Sequence, residues 1–151
     1  MNNYPIWWND TVTIYNRYEE NNRISWYRTV IDGCFWKYDD IAVSQNRSQM
    51  GYRALQFHTN TVTCRIRKSE KFLPKGEWDA NANRGNYFTI APEDIIVLGE
   101  VTTEIDEYTS GKRSTEFISA QKKLGNIATV TKILINVGEG RGNEHYHITG
   151  E

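Results

Sequence analysis

Apolar and polar residues alternate along most of this chain, and a period of two is the mark of half-buried β-strands. Val12 and Ile14 fall on one side of an early segment, with Thr11, Thr13 and Tyr15 on the other. The polar run Glu19-Glu20-Asn21-Asn22 then marks a turn. A long strand pattern follows from Ile24 to Trp36, interrupted by Asp32-Gly33. A hairpin at that dipeptide leaves Cys34-Phe35-Trp36 too short to pair back, so a bulge that bends one long strand is the expectation.

Tyr38 to Asn60 breaks the alternation, being rich in Asn, Gln, Ser and Arg, and reads as a long excursion loop. Thr61 to Arg67 is a strand with Val62, Cys64 and Ile66 inward and Arg65 and Arg67 outward. Ser69 to Arg84 reads as a second long loop. Pro92-Glu93-Asp94 turns into Ile95-Ile96-Val97-Leu98-Gly99, a short apolar run of the kind buried on both faces. Ile127–Val137 and Tyr146–Thr149 complete the strands.

One segment has helical spacing, from about Ser114 to Leu124. Ser114 is placed to cap it, Glu116 lies in its first turn and Gly125 ends it. Phe117, Ala120 and Leu124 form its apolar stripe, with Ile118 alongside. The expected fold is mainly β: a small antiparallel barrel or sandwich with one inserted helix (114–124) and two long loops, the first at 38–60. Its expected core joins Val12, Ile14, Trp26, Cys64, Ile66, Ile96, Leu98 and Ile133. The 151 residues make one domain (1–151) on the usual size prior.

Charge narrows the function classes. Lys+Arg 18 against Asp+Glu 19 excludes a generic polybasic nucleic-acid binder. No apolar run reaches the ~18–20 residues of a membrane-spanning helix. Cys34 and Cys64 are the only cysteines and sit in apolar runs, which favours buried thiols over a disulfide between them. Met1-Asn2-Asn3-Tyr4-Pro5 has no leader pattern, so synthesis in a reducing cytoplasm is expected.

Candidate chemistry is sparse. His145 and His147 share one strand face and begin a metal site only if His58 or Glu144 converges on them. Thr109-Ser110-Gly111-Lys112-Arg113-Ser114 resembles a phosphate loop, but Asp106 and Arg113 stand where the pattern requires Gly and Ser or Thr. Glu104, Asp106 and Glu107 have no nucleophile beside them, and Gly138-Glu139-Gly140-Arg141-Gly142 reads as a hairpin tip. No catalytic residue, metal or cofactor is therefore assigned. Trp7 and Trp8 are candidate interface residues, for an arm docked on its own core or on a neighbouring subunit.

The order of features is similar to that of the small head-completion ("stopper") proteins of tailed bacteriophages. The matching segments are Asp10-Thr11-Val12-Thr13-Ile14-Tyr15, the long Ile24–Trp36 strand, the Tyr38–Asn60 excursion, the Thr61–Ile66 strand and Glu93-Asp94-Ile95-Ile96-Val97-Leu98-Gly99. A strand pair like Ile127–Val137 and His145–Thr149 then closes the barrel. The runs Trp-Trp-Asn-Asp-Thr-Val-Thr-Ile-Tyr-Asn and Glu-Ile-Asp-Glu-Tyr-Thr-Ser-Gly-Lys-Arg also resemble uncharacterised phage and prophage proteins. The resemblance implies a non-enzymatic virion protein of the head–tail connector, assembled in the host cytoplasm. It implies a homo-oligomeric ring between portal–adaptor and tail proteins, touching packaged DNA non-specifically, with no membrane partner. By order of elements the channel loop is 38–60, with Arg47, Tyr52, Arg53, Leu55 and Phe57 as its candidate residues. An adaptor, a tail terminator, or a sugar- or nucleic-acid-binding barrel are the alternatives.

Overall fold

The computed structural model describes residues 4–45, 55–138 and 140–151, and for strand residues 40–45 and 55–59 the backbone alone. Six strands, β1 (Asp10–Glu20), β2 (Arg23–Gln45), β3 (Leu55–Arg67), β4 (Ile95–Leu98), β5 (Ile127–Val137) and β6 (His145–Gly150), close an antiparallel barrel in the order β1-β2-β3-β6-β5-β4. Two short helices accompany them, α1 (Lys75–Ala80) and α2 (Ser114–Lys122). The barrel alternative is thus the correct one, and sandwich is not.

Local chemistry explains the connections. Asn21 and Asn22 carry φ of 52° and 61°, the two left-handed residues that a two-residue hairpin turn between β1 and β2 demands. Across that pair Asp10 faces Cys34 while Val12 faces Ile31, so Asp32 and Gly33 together oppose Thr11. This is the expected bulge. Gly33 has φ +72°, and a Cβ there would meet the Arg67 Nε at 3.1 Å. Before β4, Pro92 and Glu93 (φ 80°) make the turn that returns the Asp94 N–H to the Ala91 carbonyl.

The barrel interior holds Val12, Ile14, Cys34, Val62, Cys64, Ile66, Ile96, Ala128, Val130, Tyr146 and Ile148, with Phe88 and Ile90 from the loop before β4. A second cluster lies outside the barrel wall, where α2 sets Phe117 against Tyr15, Ile95, Val97 and Ile127. One core was expected and two are present: Trp26 packs on the second, Leu98 belongs to neither, and Ile133 packs at the edge of the first. The reason is that β1 and β4 bury both faces, Ile14 and Ile96 inward, Tyr15 and Val97 outward.

Four further expectations need correction. The 38–60 excursion is largely strand, because β2 continues to Gln45 and β3 begins at Leu55. The 69–84 loop contains α1, whose Trp78 is fully buried. Its indole N–H donates to the Arg84 carbonyl at 3.1 Å, and the ring meets Tyr18 and Tyr27 edge-on. The end and cap of α2 differ too: it stops at Lys122, and Ser114 is its first residue and not its cap, its N–H donating to the Glu107 carboxylate at 2.5 Å. Finally, Phe117 alone of the stripe is buried, while Ala120 is exposed and Leu124 is 72% exposed past the helix end.

Candidate functional site

The β2–β3 ribbon is the feature that departs from a plain barrel. β1 accompanies β2 only as far as Cys34, and β6 accompanies β3 only from Val62 onward. Pairing between β2 and β3 nevertheless continues from Asp39↔Thr61 to Gln45↔Leu55. Those seven paired rows extend about 23 Å at the usual strand rise. They have no further strand partner among the described residues. Val43 is paired with Phe57 and Gln45 with Leu55, which places the candidates Leu55 and Phe57 on this arm. Arg47, Tyr52 and Arg53 lie outside the described residues.

At the root of the arm is a hollow of about 190 Å³, lined by Tyr38, Asn60, Val62, Lys122, Gly125, Ile127 and Glu151. Tyr38 is 48% exposed at its mouth, and Leu124 stands beside Gly125.

The N-terminal segment separates the two candidate tryptophans. Trp8 is 4% exposed and docks on its own chain, tilted over Phe35 and edge-on to His145 at 5.0 Å. Arg67 donates to the Trp8 carbonyl at 3.1 Å and stacks over Tyr4. Tyr4 in turn hydrogen-bonds to the Glu144 carbonyl. Trp8 thus takes the first of the two arrangements expected for the arm, docking on its own core against Phe35 and His145. Trp7 points away, 63% exposed, next to Ile6 at 92%.

The remaining candidates resolve into structural roles. His145 is buried under Trp8, with Nδ1 2.9 Å from the Asn143 carbonyl. Its ring lies 6.5 Å from that of His147, which burial first and then Arg65, His145 and Lys132 hold below the usual imidazole range. His58 cannot join them, since it lies nine residues before Arg67, the partner of His145, about 30 Å along an extended strand. Glu144 turns to the Gly140 N–H instead. Among the described residues no three His, Cys, Asp or Glu gather as a metal site.

Glu104 pairs with Arg28 at 3.2 Å, Glu107 caps α2, and Asp106 accepts from the Tyr108 N–H and the Thr109 hydroxyl. Those two hydrogen bonds hold the Asp106 carboxyl below its usual range. The Thr109–Ser114 run is thus a turn stapled by one aspartate. Gly138, Gly140 and Gly142, in the connection between β5 and β6, all have positive φ. Burial pushes the Cys34 thiol up to about 12 and raises that of Cys64 as well, and both are free. Such thiols stay protonated and inert.

One buried polar site escaped the sequence reading. Asp94 is 1% exposed and accepts from the Arg17 and Ala91 backbone N–H groups and from Asn16 Nδ2, each at 2.9 Å. Asn16 also donates to the Thr89 carbonyl at 2.6 Å. Desolvation pushes the Asp94 carboxyl up to about 6, against these hydrogen bonds, which pull it down. The network ties β1 to the start of β4.

These features define a closed antiparallel β-barrel carrying an outer helix and a projecting two-stranded arm. The chain belongs to a family of unknown function, DUF6751, whose model matches residues 7–151. No curated protein and no solved structure matches it.

Proposed function

We propose that this chain is a non-enzymatic assembly subunit of the head–tail connector of a tailed phage, a stopper-like ring component between portal–adaptor and tail. The observation that supports it most is the arm. A two-stranded ribbon whose outer edges have no strand partner among the described residues is marginal in water and gains stability when a further surface covers it. In a ring, identical arms converge on one axis and supply that cover to each other. The order of elements supports the same reading, since the arm occupies the segment that matches the channel loop of stopper proteins. Glu104, Glu107 and Asp106, the acidic candidates, make structural contacts with Arg28, the α2 N-terminus and the Thr109 turn, which is consistent with an assembly role.

The test is deletion of residues 40–57 in the phage or prophage that carries the gene. The barrel should still fold, because the β1 and β6 pairings lie outside the deleted rows. Particles should then lose packaged DNA or fail to join tails. Normal yields of infectious particles from the deletion variant would defeat the proposal.

A further inference from the structure

The exposed Ile6–Trp7 pair and the hollow at the arm root are complementary and cannot meet within one molecule. Trp7 immediately precedes Trp8, which is pinned against Arg67 and His145. The hollow includes Val62, which faces Gly150 in the last β3–β6 pair, and Glu151 just beyond it, at the far end of that pairing from Arg67 and His145. Five residues of extended strand separate Arg67 from Val62 and His145 from Gly150, about 17 Å in each case. An apolar knob and an apolar hole on different parts of one surface make a head-to-tail contact, which closes a ring or propagates a chain.

The fit is chemical as well as geometric. An apolar cavity of ~150 Å³ admits a benzene-sized ring, and this hollow measures about 190 Å³ with Tyr38, Val62 and Ile127 as its apolar walls. Asn60 and Glu151 on the rim offer acceptors for the indole N–H, the polar contact a buried tryptophan needs. We infer that Trp7, with Ile6 beside it, inserts into the Tyr38–Val62–Ile127 hollow of the next copy of this chain, forming the heterologous contact of the ring. The inference rests on the ring reading above and names its interface.

Area sets the strength of this contact. A buried aromatic contributes 150–250 Å², so Trp7 and Ile6 together bring about 250–300 Å², well below the ~800 Å² per partner of a stable pair. The contact is therefore weak between two free subunits and persists when closure of the ring holds all copies together. Covalent trapping suits such a contact.

The experiment uses Ile6→Cys and Leu124→Cys, both at exposed sites, with a short bismaleimide. Cys34 and Cys64 are fully buried and stay silent. Each variant is first checked for the wild-type circular dichroism spectrum and thermal midpoint. Mixed in equal amounts, the two single variants should give one cross-linked dimer and nothing larger. The double variant should give a ladder, and each single variant alone should give no product. Adding Trp7→Ala, or filling the hollow with Asn60→Trp, should lower the yield at least tenfold. Dimers from one single variant alone, yields indifferent to both Trp7→Ala and Asn60→Trp, or no cross-link at millimolar protein would each overturn the inference. A ladder alongside normal particles from the arm deletion would keep this contact and defeat the connector reading; the reverse pair of results would do the opposite.

Discussion

Asp94 offers the sharpest quantitative prediction. Its carboxyl moves from 3.8 to about 6 on folding, chiefly by desolvation. The difference, 6 − 3.8, is about 2.2 units, and at 1.36 kcal/mol per unit it amounts to about 3 kcal/mol. The folded value is raised, so the folded state binds the proton more tightly than the unfolded chain. The stabilisation is therefore complete below pH ~3.8 and is lost as pH climbs through ~6. Asp94→Asn removes the titration while keeping an oxygen for Asn16 and Ala91. Its amide NH₂ then faces the Arg17 N–H and leaves that donor unpaired, at about 1–3 kcal/mol. Urea unfolding of both proteins at half-unit steps from pH 4 to 7.5 measures the difference. We expect the wild type to start more stable at pH 4 and to lose up to about 3 kcal/mol relative to the variant by pH 7. Parallel stability–pH curves for the two proteins would refute the account of Asp94 as a buried, reluctant carboxylate.

Three further outcomes follow from packing. Ile96→Ala should cost about 2–5 kcal/mol by chemical unfolding, whereas Leu98→Ala, in neither cluster, should cost less than half as much; equal losses would erase the distinction between them. Phe117→Ala should cost about 3–5 kcal/mol and should speed hydrogen exchange across α2, since Phe117 stacks edge-on with Tyr15 at 5.0 Å; unchanged exchange would place the anchor elsewhere. Gly150→Ala puts a Cβ 2.8 Å from the Thr129 carbonyl oxygen and should lower stability by about 1–3 kcal/mol, a loss that a thermal scan detects and a neutral midpoint would contradict.

The strands were legible wherever one face meets the barrel interior, because burial imposes the alternation that a reader sees. β5 runs from Ile127 to Val137 as its pattern states, and the Asp32-Gly33 bulge follows from the length of the flanks. The arm hid its strands for the same reason in reverse: its rows pair beyond the reach of β1 and β6, and Asp39-Asp40 and His58-Thr59-Asn60 carry no such alternation. α1 has six residues, fewer than two turns, and offers no periodicity; only the Trp in a polar stretch signalled burial. The helix stripe failed at Leu124 because the contact is made by Phe117 and Ile118 alone. Asp94 looked like a turn residue, and its Asn16 partner lies 78 positions away, beyond any local pattern. For the candidate site, Trp7 and Trp8 were equivalent on paper, and the contacts of Trp8 with Phe35, Arg67 and His145 tell them apart.

Closure of the barrel between β1 and β4 has a kinetic consequence. Val12 pairs with Leu98 across 86 residues, whereas the β1–β2 hairpin is joined by a two-residue turn. Loop-closure entropy penalises the distant pairing first and rewards it last, so nucleation falls to the local hairpins and the seam is sewn at the end. A chain of this topology should refold in milliseconds to seconds. Mutations at the seam should then act on the rate of opening, with Ile96→Val speeding unfolding while leaving the refolding arm of the chevron almost unmoved. A seam variant that slowed refolding in proportion to its loss of stability would mean that the barrel closes early, with the long-range pairing already formed in the transition state.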